Sequence, residues 1–463
     1  MAASDRSWTI TPTLLWFGVF LAAGLWWFDG DVSALANRLT VKRHDQTAKA
    51  GPVVAPPATV IAEADVPDEP APKLPAPPAG SHDVGALTDT CVQPLGAAPD
   101  QCKQWAMDGY YKAVTLEKAG KLGHPVRVSW YGDSVVADDQ MATRLRARLQ
   151  GELGDGGPGF VWVVPPHRFN ENNSIKRSFS GTWFPHSISL LQMPDGLYGV
   201  GGSTVETDGG RSTIKLASGK VTHVELYYLA TPKGGTATVT ADGSEVVKVD
   251  TSGERAPGWA AGTTAGATSF EVKTEHRVRM FGIDLENTSG AVVDNLGVVS
   301  TNVKSFANNA PAHWQTELEH RAADLILIMI GANEAEWLGP KDADTKNYQA
   351  HYEKVLEVIR KARPDGTCVV ISPTDQAEAK DDGYESRPVM PVLVEAQKKA
   401  AAAQGCAFYS TYAWMGGKGS AAKWFKRGLV SSDFQHLSKK GADKMADALY
   451  DALAQGLTTY AHP

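Results

Sequence analysis

The chain has 463 residues, of which 43% are hydrophobic and 21% charged, with a formal net charge of -7. One hydrophobic core stops growing at about 250–300 residues, so more than one folded unit is expected from an otherwise ordinary globular composition. A mildly acidic chain without a basic stripe has no electrostatic reason to bind nucleic acid, and that partner class is excluded.

Residues 8–28 read WTITPTLLWFGVFLAAGLWWF, with an uncharged core at 14–28 closed by Asp29 and Asp31. The length is near the ~20 residues a spanning helix needs, and tryptophans at both ends suit the headgroup belts. Residues 1–36 are therefore expected to anchor the protein in a membrane. The alternative is a cleaved signal peptide, because Ala34-Leu35-Ala36 offers a small-x-small site. Arg6 precedes the segment while Arg38, Lys42 and Arg43 follow it, a bias that opposes export of what comes next. Residues 37–88 read as a linker, since 51–80 is rich in proline and alanine, lacks aromatics and favours an extended polyproline spacer.

Globular texture begins near residue 89. Apolar strand patterns at 126–134, 324–334, 368–373 and 406–411 alternate with helical spacing at 138–153, 348–361, 391–403 and 437–453. This alternation predicts an α/β fold with a parallel sheet covered on both faces. Between 160 and 293 the texture changes to short alternating runs such as STIKLA, HVELYYL and ATVTAD, separated by Gly, Asp, Ser and Thr. That pattern predicts an all-β sandwich inserted into the α/β domain, which is thereby split into parts at 89–159 and 294–463.

Four short stretches carry candidate chemistry. Gly132-Asp133-Ser134 ends the first strand, where a parallel sheet presents its sites. Asp433 stands three residues before His436, a spacing at which a carboxylate can orient an imidazole whose other nitrogen serves a nucleophile. Gly331-Ala332-Asn333-Glu334 offers a side-chain amide to a developing oxyanion, and Gly297 in Asp294-Asn295-Leu296-Gly297 offers a backbone N–H. Taken singly, each fits strand-to-loop punctuation or, for Asp433, a helix cap. Along the chain they run Gly-Asp-Ser, then the glycine, then Gly-x-Asn, then Asp-x-x-His near the carboxyl end, and so resemble the four blocks of the SGNH (GDSL-like) hydrolases. The resemblance implies a flavodoxin-like three-layer fold and a serine esterase with Ser134 as nucleophile and Asp433 and His436 as acid–base support. It also implies an oxyanion hole from Ser134, Gly297 and Asn333. One departure stands out: Glu334 follows Asn333 where the family usually has Asp. An insert between the first and second blocks is similar to that of bacterial peptidoglycan O-acetylesterases. That likeness implies an acetylated envelope polysaccharide as substrate and partner, and a periplasmic domain on the inner membrane or a secreted one. Acetyl transfer to a glycan by the same residues, or non-catalytic glycan binding, are the alternatives.

No metal-ligand spacing such as His-Glu-x-x-His occurs, the glycine-rich 154–160 does not match a phosphate loop, and no cofactor or metal is expected. Asp133 is assigned to the turn without a catalytic role, and Asp138 and Asp139 to the first turn of the next helix. Trp162, His167, Trp183, His186 and Tyr198 form either a sugar-stacking platform or core aromatics. A Cys91–Cys102 bridge would close a short loop, whereas Cys368 and Cys406 read as buried thiols. The sequence leaves the oligomeric state open.

Overall fold

The computed structural model describes residues 77–381 and 383–460. The expected anchor at 1–36 and most of the linker lie outside the described residues. Among the described residues no helix is long and apolar enough to cross a membrane.

Strands β1 (Ser81–Val84), β2 (Leu87–Gln93), β3 (Gln104–Trp105) and β4 (Val126–Gly132) come first. Next come β5 (Gly159–Val161), β6 (Ile175–Ser187), β7 (Ser203–Leu216), β8 (Val221–Ala230) and β9 (Thr236–Ala241). They are followed by β10 (Ser244–Asp250), β11 (Ala256–Ala267), β12 (Ser269–Glu275), β13 (Val278–Glu286) and β14 (Ala291–Gly297). The chain closes with β15 (Leu325–Met329), β16 (Thr367–Ile371), the small hairpin β17 (Ala377–Lys380) and β18 (Gly383–Ser386), and β19 (Ala407–Tyr409).

The first sheet runs β1-β2-β19-β16-β15-β4-β14, with β3 on β2. Its strands β19, β16, β15, β4 and β14 are parallel, while β2 joins antiparallel to β19. The linker boundary expected at 88 thus falls inside a strand: Leu87 and Thr88 pair with Tyr409 and Phe408. The sequence of β2, LTDTCVQ, carries too few apolar residues to announce a sheet strand. Along the central strands successive side chains enter opposite cores, as the period of two requires. Leu325 and Leu327 of β15 join Val128 and Trp130 under the helices Asp108–Lys118, Gln140–Leu153 and Lys439–Thr459. Ile326 and Ile328 join Tyr131 and Val370 under the helices Pro311–Arg321, Asp342–Ala362 and Met390–Ala403. The three layers follow from that alternation.

Strands β5 to β13 form a second, nine-stranded sheet. The long β7 pairs with β12 through Gly210–Lys215 and with β13 through Val205–Thr207, so one strand belongs to two layers. Phe270, Val272 and Val239 from one layer and Met280, Ile283 and Leu226 from the other share a separate core. At the junction with the first sheet, Arg321 is fully buried and donates to Asp284, bonds Asp294 through two nitrogens, and lies 2.7 Å from Glu286. Such a network resists removal of any one member, which would leave a buried charge unpaired. The boundaries drawn at 160 and 293 fall inside β5 and β14 respectively.

Two disulfides are present, Cys91–Cys102 and Cys368–Cys406. The second corrects the expectation of buried free thiols. It joins neighbouring parallel strands, since Cys368 lies on β16 and Cys406 directly precedes β19.

Candidate active site

Register brings the four motifs to one edge. Gly132, the last residue of β4, pairs with Gly297 at the end of β14 on one side and with Met329 at the end of β15 on the other. The loops that follow these three strands therefore start level with one another at the carboxyl end of the sheet. Ser134 opens a short helix, Ser134–Ala137, that lies back over the strand ends. Both flanking glycines are needed for this. A Cβ on Gly132 would lie 2.2 Å from Val136 Cγ2, and one on Gly297 would lie 2.5 Å from the Ala137 nitrogen.

Asp133 caps the Ser134 helix, accepting the Val135 N–H at 2.9 Å. It is 2% exposed, and the backbone N–H groups of Gly331 and Ala332 on the Asn333 turn favour its charged form. Burial pushes its carboxyl up to about 6 in spite of those bonds. Asp138 is likewise pushed up to about 6 by burial, with Asp139 and Glu171 adding repulsion. Asp139 sits at the helix start in a left-handed conformation (φ 62°), accepting from Thr143 Oγ1 and the Asn173 N–H.

Asp433 and His436 stand on a loop closed by pairing of Val430 with Leu437 and by the Ser431 N–H donating to the His436 carbonyl at 2.8 Å. Phe434 turns the chain at φ 57° and buries its ring 4.2 Å from Tyr384 and 4.7 Å from Phe425. Asp433 Oδ1 accepts the N–H groups of Gln435 (2.9 Å) and His436 (3.0 Å), and Oδ2 lies 2.8 Å from His436 Nδ1. His436 Nε2 is 2.8 Å from Ser134 Oγ. Nδ1–H donating to the carboxylate leaves the Nε2 lone pair to accept the serine proton. Partial burial works to raise the Asp433 carboxyl, but the bonds from His436 and Gln435 outweigh it and hold the group below the usual carboxylate value.

Asn333 donates one amide N–H to the Thr301 carbonyl at 2.7 Å, which leaves its second N–H for an incoming oxyanion. Gly297 differs from expectation. Its N–H donates to Asn295 Oδ1 at 3.1 Å, so in this geometry it supplies clearance for the Ser134 helix and no open donor. Residues the sequence reading left aside lie just beneath: Asp133, and Glu334, whose Oε1 accepts the Val303 N–H at 2.6 Å. Trp162 and Tyr198 are buried in the core, so they do not form a platform; Trp183, His167 and His186 stay only half-buried.

Residues 261–444 match the model of the GDSL-like Lipase/Acylhydrolase family. A solved peptidoglycan O-acetylesterase aligns with 76% of this chain and 97% of its own, at 23% identity and a TM-score of 0.65. Over 261–444 the chain is similar to the GDSL-like acylhydrolases, and its fold resembles that of an SGNH-type esterase. The family match spans Gly297, Asn333, Asp433 and His436; Ser134 precedes it, across the insert. An acetylxylan esterase from Geobacillus stearothermophilus aligns with 35% of this chain and 73% of its own, at 19% identity and a TM-score of 0.26. A salicylyl-acyltransferase aligns with 61% and 95% at 13% identity and a TM-score of 0.29. No curated protein matches the sequence.

Proposed function

We propose that this esterase removes O-acetyl groups from a cell-envelope polysaccharide, peptidoglycan foremost, through an acyl-enzyme on Ser134. The observation that carries the reading is the unbroken relay from Ser134 Oγ through His436 to Asp433, with both links at 2.8 Å. Ser134 Oγ attacks the acetyl carbonyl while its proton passes to His436 Nε2. The oxyanion meets the free Asn333 N–H and the Ser134 backbone N–H. Collapse expels the sugar hydroxyl, which takes the proton from His436. Water then loses a proton to His436 and attacks the acyl-enzyme, and acetate leaves with Ser134 regenerated. A solved peptidoglycan O-acetylesterase that aligns with 76% of this chain supports the choice of glycan.

Periplasmic placement on an inner-membrane anchor is part of the same proposal. The apolar run at 14–28 and the proline-rich stretch behind it support it, as do two disulfides, which persist in oxidising compartments. The test is acetate release from O-acetylated peptidoglycan beside other acetylated polysaccharides. The protein should prefer the first, and Ser134→Ala should abolish release. Equal, residual release by both proteins would remove the serine from the reaction. Faster release from a different polysaccharide would reassign the substrate.

A further inference from the structure

The paired residues Asn333 and Glu334 grip the same loop from one turn. The amide of Asn333 holds the carbonyl of Thr301 at 2.7 Å, and the carboxyl of Glu334 holds the N–H of Val303 at 2.6 Å. Thr301 and Val303 lie two residues apart on the segment that leaves β14 and enters the 3-10 helix Val303–Asn308. Asn302 between them is committed elsewhere, as the cap of that helix in a reciprocal pair with Ser305. The loop is therefore pinned by two side chains whose backbones are adjacent, and the orientation of one depends on the other. If the Val303 contact is lost, Thr301 is free to drift and the Asn333 amide loses the acceptor that fixes its rotamer.

We infer that Glu334 is a positioning residue for the oxyanion site: through Val303 it fixes the loop against which the Asn333 amide is aimed. This inference rests on the esterase reading above. Glu334 is fully buried, and its Oε2 has no partner among the described residues. The contact to Val303 is made at 2.6 Å with the full length of the glutamate side chain, which an aspartate shortens by one methylene. Burial pushes the group up to about 7, Asp133 on the neighbouring turn adds repulsion and Lys304 opposes it, while Tyr348 and Tyr352 line the same space. Replacement by an amide is tolerated, because the contact to Val303 uses an acceptor oxygen that both possess.

The experiment measures kcat and KM on a chromogenic acetate ester for wild type, Glu334→Gln, Glu334→Asp, Glu334→Ala and Val303→Pro, with Ser134→Ala as the blank. Proline at 303 removes the N–H from the opposite side of the contact. It sits at the first position of a helix, where proline is tolerated, behind Asn302 in an extended conformation. Glu334→Gln should stay within about threefold of wild type. Glu334→Asp, Glu334→Ala and Val303→Pro should each lose roughly 10–100-fold in kcat with KM within about twofold, a part of the 10²–10³ that an oxyanion donor supplies. Added to Asn333→Ala, the Glu334→Ala change should cost nothing further, because the donor it aims is already gone. Equal factors in the two backgrounds, or a Val303→Pro protein as fast as wild type, would overturn the inference. A wild type as inert as Ser134→Ala would instead fell the esterase reading beneath it.

Discussion

The two halves of the relay are built by opposite means. Ser134 stands on a turn whose support is buried: Asp133 is 2% exposed, and Gly132 and Gly297 are shaped to the helix above them. Asp433 and His436 stand on an exterior loop, with side chains 50% and 35% exposed. There the order comes from short-range bonds: two N–H groups on one carboxylate oxygen, the imidazole on the other, and one aromatic plug at Phe434. The nucleophile is held by the fold and the base by its own loop. Damage to the first should therefore cost stability and rate together, whereas damage to the second should cost rate alone.

Asp433→Asn gives the largest separation between the two. The amide keeps the shape and can still accept backbone N–H groups, but it favours the wrong imidazole tautomer. By the logic of a carboxylate–imidazole–hydroxyl triad, kcat should fall by about 10³–10⁴, close to 4–5.5 kcal/mol of barrier. The melting temperature should move by no more than a degree or two, because the side chain is half in solvent. A clear thermal loss would mean that the loop is a structural element and would blur the contrast.

Asp133→Ala is the next largest and tests the buried half. The change deletes a helix cap, worth about 0.5–2 kcal/mol, leaves the buried Val135 N–H unpaired at about 1–3 kcal/mol, and removes the acceptor that the Gly331 and Ala332 N–H groups favour. A loss of about 3–5 kcal/mol in urea unfolding is expected, with activity reduced in whatever remains folded. A variant that unfolds like wild type yet turns over poorly would place Asp133 in the chemistry instead.

The contrast also explains what could be read from sequence. Strand ends, small residues and a histidine near an acid are local signals, and Ser134, Asn333, Asp433 and His436 carried them. Spacing did not by itself single out His436, since Glu317 and His320 also stand three apart. There the fold pairs His320 Nε2 with Glu225 at 2.9 Å and stacks the ring on Trp259, far from a hydroxyl relay. The tertiary contacts of Asp133 and Glu334 were not legible in sequence because Gly331, Ala332 and Val303 become their neighbours only once β4, β14 and β15 lie side by side. The same is true of Cys368 and Cys406, whose strands meet across a helix. Gly297 was assigned a donor's role from its motif, and a side chain two residues back had already claimed that N–H.

The smallest effect is a pH dependence of the buried half. The Asp133 carboxyl lies at about 6 when folded and near the ordinary aspartate value of about 3.9 when unfolded. The folded chain then binds the proton more tightly, so this group's contribution is fully present below about 3.9 and is lost as pH rises through about 6. A shift of roughly two units sets a ceiling of about 3 kcal/mol. His436 faces the group and opposes the loss when charged, and Glu334 on the next turn adds to it. Asp133→Asn cannot ionise. Its urea-unfolding free energy should fall less than that of wild type between pH 4 and 7, even if it is lower at every pH. Asp433 runs the other way: its depressed value contributes stability above about 3.9 and surrenders it as pH falls further. Parallel pH curves for wild type and Asp133→Asn would show that the serine turn is as open to solvent as the histidine loop, and the division of labour between them would dissolve.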